Sequence, residues 1–468
     1  MTSTCYTPSN RESSRKLELP VFALRLISML EEASYETWCV GGFVRDALLG
    51  RPANDIDLAT SALWTDVKRV CEHEGLKTNE TGIKHGTITV YDPEEKTSVA
   101  EITTFRADGA SSDHRHPKEV RFVRTIEEDL ARRDFTVNAL AYHPERGICD
   151  PFGGINDMGA GILRAIGNPA KRFEEDALRI LRAARFFSQL GFSIEPDTYQ
   201  AALSSKHLLS SIAKERIRHE LDLLLKGNFV HDALVGTIDV ISFVLPELIA
   251  MKGCEQRTKY HIYDVLEHTA YAVQNMPVDR LGRWAALFHD SGKPAAAFLD
   301  QDGVGHFYGH AHCSVMLAES ALTRLGFSRS FISDVLALVK RHDEPIQPTR
   351  KAVKKALLKL DGNIDLFMTL CDLKRADALA QAPMCRPRAE QAEELKRIAA
   401  DIADSNDALR VTDLAINGND LMDMGMEKGP ELGRMLNDLL ADVIAGNLEN
   451  DREALLKSVS KRLERRRA

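Results

Sequence analysis

TWCVGGFVRDALLGRPANDIDLAT, residues 37–60, decides how the N-terminal part of this chain folds. Aromatic and β-branched residues over Thr37–Val40 read as a strand, Gly41-Gly42 as a turn, and the run from Phe43 as a helix. Backbone N–H groups in such a turn can approach phosphate oxygens, and Arg45 on the helix adds a charged clamp. NDIDLAT reads as the next strand. Residues two apart on a strand point to one face, so Asp55 and Asp57 bring two carboxylates within a few Å. Paired like charges attract a divalent cation. Mg²⁺ takes carboxylate oxygens plus substrate phosphate, and a pair of ions activates an attacking hydroxyl and stabilises leaving pyrophosphate. The chemistry expected is nucleotidyl transfer with two Mg²⁺ on Asp55 and Asp57.

Working outward, HGTITV (85–90) and TSVAEITTFR (97–106) alternate like paired strands across Asp92-Pro93, and they add Glu101 as a third carboxylate. A D-x-D alone is more often a solvated strand end, and Gly-Gly alone is weaker still; the combination within one small domain carries the reading. From Pro169 onward strand signals nearly vanish and helical patterns such as RFEEDALRILRAARFFSQL and IAKERIRHELDLLL take over. With 468 residues, 44% hydrophobic and only 6% aromatic, the chain should hold several domains and be mostly helical. The expected division is a loose segment 1–20, an α/β head 21–165, a helical neck and body 166–255, a histidine-rich helical domain 256–380 and a charged helical tail 381–468. The balance of 61 basic and 69 acidic residues gives −8, which excludes a global positive field, so any RNA site must be local. Eight scattered cysteines without a C-x-x-C pair fit reduced thiols, and no stretch reads as a membrane span. The expected location is cytoplasmic.

VGGFVRDALLG (40–50), DIDLAT (55–60), EITTFR (101–106), EEDLARRDFTVNALAY (127–142), DPFGG (150–154) and RFEEDALRILRAARFFSQLGF (172–192) resemble, in order, the motif set of the bacterial class II tRNA nucleotidyltransferases, the CCA-adding enzymes. The resemblance implies a polymerase-β-like head followed by an all-α neck, body and tail. It implies template-independent addition of CCA to the 3′ end of tRNA from CTP and ATP, with release of pyrophosphate. Its partners would be tRNA, CTP and ATP, with no membrane and no obligate protein partner.

The resemblance also assigns residues. Gly42 and Arg45 would cradle and neutralise the triphosphate; Arg133, Asp134 and Asn138 would contact sugar and phosphates, an Arg fork suiting phosphate. Asp176 and Arg179 match the residues that read the base. They sit in a helical pattern whose three-residue spacing places them on neighbouring faces. Cytosine and adenine each present an amine donor beside a ring-nitrogen acceptor, whereas uracil and guanine reverse that order, so one Asp–Arg pair can accept the first two and leave the others unmet. Arg182 and Arg185 match further nucleotide contacts, although helical geometry puts Arg185 roughly opposite Asp176, where it could serve the neck or tRNA instead. The segment Arg106–Arg115, rich in Gly, Ser and Asp, reads as a flexible loop. Complete CCA-adding members keep such a loop.

Seven of the fifteen histidines fall between His261 and His342. His268 in YDVLEHT, His289-Asp290 in ALFHDSGKP and Asp377 in KRADAL follow the order of HD-type metal phosphohydrolases, a second resemblance, with His310 and His342 as additional ligand candidates. Imidazole and carboxylate together suit a divalent transition metal and hydrolysis of a phosphate ester. Local basic residues Lys171, Arg172, Lys214, Arg216 and Arg218, with Arg182, Arg185 and the terminal KRLERRRA, are the RNA-contact candidates. Rival readings are a poly(A) polymerase, an enzyme adding only CC or only A, an HD phosphohydrolase with a degenerate head, and a noncatalytic RNA-binding scaffold.

Overall fold

The computed structural model describes residues 16–53, 55–82, 86–95, 98–108, 120–405 and 408–467. The chain divides into two compact units, Met1–Leu221 with Asp239–Val244, and Asp222–Ile238 with Leu245–Ala468. The boundary expected near residue 165 therefore falls inside the first unit, and the expected neck and body are shared between the two.

In the first unit α1 (Val21–Glu32) buries Phe22, Ala23, Leu26, Ile27 and Leu30, the one-face stripe of an amphipathic helix. Next come β1 (Thr37–Val40), α2 (Gly42–Leu48), β2 (Ile56–Thr60), α3 (Trp64–His73), β3 (Lys77–Gly82), β4 (Thr87–Tyr91) and β5 (Val99–Thr104). After β6 (Arg106–Asp108) and β7 (Val120–Phe122) the chain forms α4 (Ile126–Ala131), β8 (Ala141–His143), β9 (Gly147–Cys149) and α5 (Gly154–Ala160). Strands β3-β4-β5-β2-β1-β8-β9 form one sheet in that order. Only β2 and β5 run parallel within it, with Asp57 opposite Glu101. Helices α1 and α3 supply much of a core with Leu58, Ile88 and Ile102 of the sheet.

Three expectations change here. Lys16–Pro20 is not loose: Leu17 donates its N–H to the Tyr142 hydroxyl at 3.2 Å, and Leu17 and Leu19 pack on the core. Residues 1–15 of that expected segment lie outside the described residues. Arg106–Asp108 is strand rather than loop, paired with β7; Gly109–Arg115 lies outside the described residues.

The third change is larger. The helix expected to run through Glu175–Arg179 is two helices, α6 (Pro169–Glu175) and α7 (Leu178–Leu190), broken at Asp176 with φ −147° and ψ 104°. The Asp176 carboxylate accepts the Leu178 N–H at 3.1 Å, and its carbonyl accepts the Arg179 N–H at 3.1 Å. An aspartate side chain that bonds its own following backbone competes with the helical ladder and starts a new helix instead. After α7 the first unit continues with α8 (Pro196–Ser205) and most of α9 (Lys214–Leu225), while α10 (Val230–Ile241) lies largely in the second unit.

The second unit is helical, as expected: α11 (Val265–Asn275), α12 (Arg280–Phe288), α13 (Lys293–Ala296), α14 (His310–Arg324), α15 (Arg329–Arg341), α16 (Arg350–Leu358), α17 (Ile364–Leu379) and α18 (Arg386–Asp404). Trp284, Phe288 and Phe367 are fully buried there. Three further helices, α19 (Gly418–Asp423), α20 (Pro430–Ala445) and α21 (Arg452–Arg467), close a separate apolar cluster around Leu421, Leu439 and Leu455. No described helix is long and apolar enough to cross a membrane. None of the seven described cysteines forms a disulfide, and burial pushes Cys39, Cys71 and Cys371 up to about 12.

Candidate active site and a second histidine cluster

The β2–β5 register is what builds the head site. Asp57 and Glu101 stand side by side across the pair, and Asp55 sits at a bend just before β2 rather than on the strand. Burial pushes Asp57 up to about 6; Arg133 pulls it down, while Glu101 and Asp55 push it further up. Carboxylates that repel one another in a half-buried setting fit a divalent cation, whose charge would relieve both burial and repulsion.

Arg133 reaches this group across the glycine turn. Gly41 adopts φ +70° and donates its N–H to the Leu140 carbonyl at 3.0 Å. A Cβ at Gly41 would lie 2.5 Å from Arg133 Nη1, whereas one at Gly42 would only touch Arg45 at 3.7 Å. The tight constraint falls on Gly41, not on the predicted Gly42. The Gly-Gly pair itself was the available signal, because glycine alone takes a positive φ at no steric cost.

Arg45 is not a free clamp. Its guanidinium donates to both carboxylate oxygens of Asp46 at 2.9 and 2.8 Å and to Asn138 Oδ1 at 2.5 Å. Asn138 Nδ2 in turn donates to Asp134 Oδ1 at 3.0 Å, and Arg182 Nε donates to Asp134 Oδ2 at 2.7 Å. Burial opposes the Asp134 charge, but Arg182 and Asn138 outweigh it and hold the carboxyl well below the usual range. Four predicted residues, Arg45, Asp134, Asn138 and Arg182, thus form one chain of charge-assisted bonds.

Arg185 joins them. Its guanidinium lies 4.2 Å from the centre of the Phe186 ring, which Arg182 and Arg45 also approach at 5.3 and 5.2 Å. It pairs with buried Glu220 at 3.2 Å, so its side chain turns into the unit, where helical rotation alone leaves it roughly opposite Asp176 with the neck or tRNA as its expected partner. Burial lowers Arg185 to about 10, with Arg182 adding to the effect. Glu220 was not anticipated; it lies on α9, far along the chain from any motif, and only tertiary contact reveals it.

Asp176 and Arg179 lie at the start of α7 without bonding each other's side chains. Arg179 donates to Glu175 at 2.8 Å and to the Arg132 carbonyl at 2.7 Å; Asp176 faces Arg216 at 3.4 Å. Among the RNA-contact candidates Arg172 pairs with Glu175 at 2.8 Å and Arg218 is half-buried, while Lys171 and Lys214 are exposed. Asp129, also unanticipated, is fully buried and accepts from the Arg106 backbone N–H at 3.2 Å and Arg132 Nε at 3.0 Å, with Arg133 at 3.5 Å. It ties the root of β6 to the Arg132-Arg133 pair.

In the second unit His268 of α11, His289-Asp290 at the end of α12 and Asp377 of α17 converge, each offering a ligand atom within 4.8 Å of the others. Asp290, His310 and His342 form a second such group. His268, His289, Asp290 and His342 are buried. His261 packs its ring edge-on against His268, and burial, followed by Lys293, lowers it to about 3, so it stays neutral. His306 pairs with Asp300 at 2.7 Å and His312 is exposed; neither belongs to either group.

Residues 37–164 match the family model described as the poly A polymerase head domain. Residues 191–249 match one described as a probable RNA- and SrmB-binding site of polymerase A, and residues 312–459 one described as a putative tRNA nucleotidyltransferase domain 2. A CCA-adding enzyme of Anoxybacillus flavithermus is 44% identical over 264 residues, a stretch spanning 56% of this chain and 62% of that relative's length. The CCA-adding enzyme of Geobacillus thermodenitrificans is 35% identical over 439 residues, 92% of this chain and 95% of the relative. The chain belongs to the CCA-adding enzymes. The solved structure of the Bacillus stearothermophilus CCA-adding enzyme in complex with CTP superimposes with a TM-score of 0.70 at 30% identity, covering 96% of this chain and 99% of that one.

The head is polymerase-β-like, and the family to which the chain belongs depends on divalent metal. The register pair Asp57–Glu101 with Arg133 facing it is the head's own feature that suits that dependence. Replacing Gly41 by Ala should displace Arg133 and strain the turn. The expected result is a KM for nucleotide raised about tenfold and a fold weakened by ~1–2 kcal/mol, read by steady-state kinetics and urea unfolding.

Proposed function

We propose that the enzyme adds C, C and A to the 3′ end of tRNA from CTP and ATP. The observation that carries this is the Asp57–Glu101 pair on β2 and β5, with Asp55 before it and Arg133 across the Gly41 turn. Asp55 and Asp57 would hold two Mg²⁺, which when bound supply the positive charge that favours an ionised hydroxyl and a leaving pyrophosphate. The tRNA 3′-hydroxyl gives its proton to solvent and its oxygen bonds to the α-phosphorus as the bond to pyrophosphate breaks. Arg133 meets the phosphates. Asp134, Asn138, Arg45 and Arg182 hold the nucleotide wall in one geometry. The relatives named CCA-adding enzyme, one of them solved with CTP, favour this reading over poly(A) synthesis, partial addition, a degenerate head or a scaffold.

Base choice falls to Asp176 and Arg179, the first exchanging Arg216 and the second Glu175 for the edge of cytosine or adenine. An unmet buried polar group costs about 1–3 kcal/mol. Arg179→Ala should therefore cut discrimination against UTP and GTP by roughly 10- to 100-fold, measured as a ratio of kcat/KM values. Exposed Lys171 and Lys214 would meet tRNA phosphates.

The deciding experiment offers tRNA lacking its last three nucleotides to the enzyme with Mg²⁺ and CTP, ATP, both, or UTP and GTP. Three added residues with both nucleotides, and none with UTP or GTP, is the expected product. A long A tail, or A alone, would overturn the specificity.

A second reading concerns the histidine cluster, because four histidines and two aspartates converge there. It would hold a divalent transition metal and hydrolyse a phosphate ester: water adds to phosphorus, the ester P–O bond breaks and the leaving oxygen takes the proton. The test is hydrolysis of nucleoside 2′,3′-cyclic phosphate or p-nitrophenyl phosphate by the Asp55→Ala, Asp57→Ala protein with Mn²⁺, Co²⁺ or Ni²⁺. No hydrolysis with any of them would sink it.

A further inference from the structure

We propose that Phe298, His306 and Tyr308 form a stacking site for the unpaired terminal base of a single-stranded RNA, at the edge of the cavity beside the histidine cluster; this rests on the hydrolase reading of that cluster and deepens it. The three rings stand on a short hairpin between α13 and α14, in which Phe298–Leu299 pairs antiparallel with Gly305–His306 and Phe298 lies opposite His306. Ring centres of Phe298 and His306 are 5.2 Å apart, those of His306 and Tyr308 5.4 Å, and the planes within each pair are inclined by only 24° and 21°. Tyr308 closes the group at 5.7 Å from Phe298.

The hairpin holds these rings in place. Asp300 Oδ1 accepts the N–H groups of Asp302 at 3.0 Å and Val304 at 2.9 Å, while its other oxygen lies 2.7 Å from His306 Nε2. Gly305 donates its N–H to the Arg257 carbonyl at 3.1 Å, and a Cβ at Gly305 would collide with the Gln256 carbonyl oxygen, so the base of the hairpin sits directly on the preceding segment. A fixed aromatic group is normally covered by its own fold. Here Phe298 is 48% and Tyr308 76% exposed, which leaves flat apolar area facing water.

Size and position decide what covers it. A protein partner needs about 800 Å² on each side, far more than two strands of two residues offer. One or two flat rings match the area. Tyr308 also lines a cavity of about 660 Å³ together with Asp290, His310 and His342, and cavities of roughly 300–1,000 Å³ take one small ligand or chain end. A terminal nucleotide carries a flat base and a phosphate ester in one group, so the base can lie on Tyr308 while the ester reaches the cluster. Exposed Arg388 borders the same cavity and offers a cation to the next backbone phosphate; its guanidinium lies 5.2 Å from the centre of the Tyr260 ring and donates to Gln381 at 3.2 Å. Stacking on an aromatic ring accepts any base, at about tenfold in affinity, but requires a base whose face is not already covered in a duplex.

The test uses the full chain carrying Asp55→Ala and Asp57→Ala, with Mn²⁺. The first probe is a single-stranded RNA hexanucleotide ending in 5-iodouridine 3′-phosphate, irradiated on the protein and mapped by mass spectrometry. Cross-links to Tyr308 and Phe298 are expected, and none there when the same end is paired in a blunt duplex. The second readout is hydrolysis of uridine 2′,3′-cyclic phosphate. Tyr308→Ala should raise its KM about tenfold with kcat held, Tyr308→Phe should keep the original KM, and the methyl riboside 2′,3′-cyclic phosphate, which has no base, should respond to neither. Cross-links confined to other elements, or a KM unmoved by Tyr308→Ala, would overturn the base site. Cross-links at the hairpin without hydrolysis by Mn²⁺, Co²⁺ or Ni²⁺ would keep the base site and overturn the hydrolase reading.

Discussion

Asp57→Asn should reduce CTP incorporation by at least about 10³-fold, the equivalent of ~4 kcal/mol of transition-state stabilisation, with little change in tRNA binding. The neutral amide keeps the shape of the carboxylate but removes the charge that would hold a divalent cation. The same substitution should act on stability in the opposite sense. Asp57 is pushed up to about 6 in the folded head, chiefly by burial, against an ordinary carboxylate near 4 when unfolded. A group whose folded value is raised contributes most below its unfolded value and loses stability as pH climbs through 4 to 6. In chelator at pH 7 the unsubstituted head therefore bears a cost on the order of 1–3 kcal/mol that Asp57→Asn relieves. The expected observation is a higher melting temperature for the variant in chelator, with the gap narrowing toward pH 4 and on adding Mg²⁺. A variant that is both inactive and less stable in chelator would mean that Asp57 serves the fold, not the chemistry.

Asp134→Ala should be the most damaging single change to the head's stability, costing ~3–5 kcal/mol. The carboxylate is 6% exposed and serves the Phe135 N–H at 2.8 Å, Asn138 and Arg182. Without it Arg182 loses its closest counter-charge while Arg185 and Arg45 also approach the Phe186 ring, leaving three guanidinium groups around one ring. Breaking a buried pair by removing one partner strands the other charge, which is why the loss exceeds that of an exposed ion pair. Urea unfolding should show the lowered midpoint, and a double substitution with Arg182→Ala should recover part of it. Full additivity of the two would contradict the coupling.

The two results bear on how the head works. Asp57 tolerates repulsion that a cation would relieve, whereas Asp134 is fully neutralised by protein groups. One carboxylate keeps an unrelieved repulsion and the other is fully paired, although both lie within motifs that look equally acidic in sequence.

Much was legible from the chain alone because the relevant signals are local. Period-two alternation in TITVY and VAEITT and the Gly41-Gly42 turn follow from short-range sterics and from which face must be buried, and the structure keeps them. The order of His268, His289-Asp290 and Asp377 likewise named residues that do converge. The tertiary structure decided what local pattern cannot contain. Asp176 breaks a run that periodicity reads as one helix, because its side chain competes for backbone N–H groups that periodicity does not count. Asp55 falls before the strand, Gly41 rather than Gly42 is pinned by Arg133, and Arg185 turns inward to Glu220. Each of these depends on a partner distant in sequence. Which donors a buried charge finds is set by packing between elements, and sequence alone determines the elements but not that pairing.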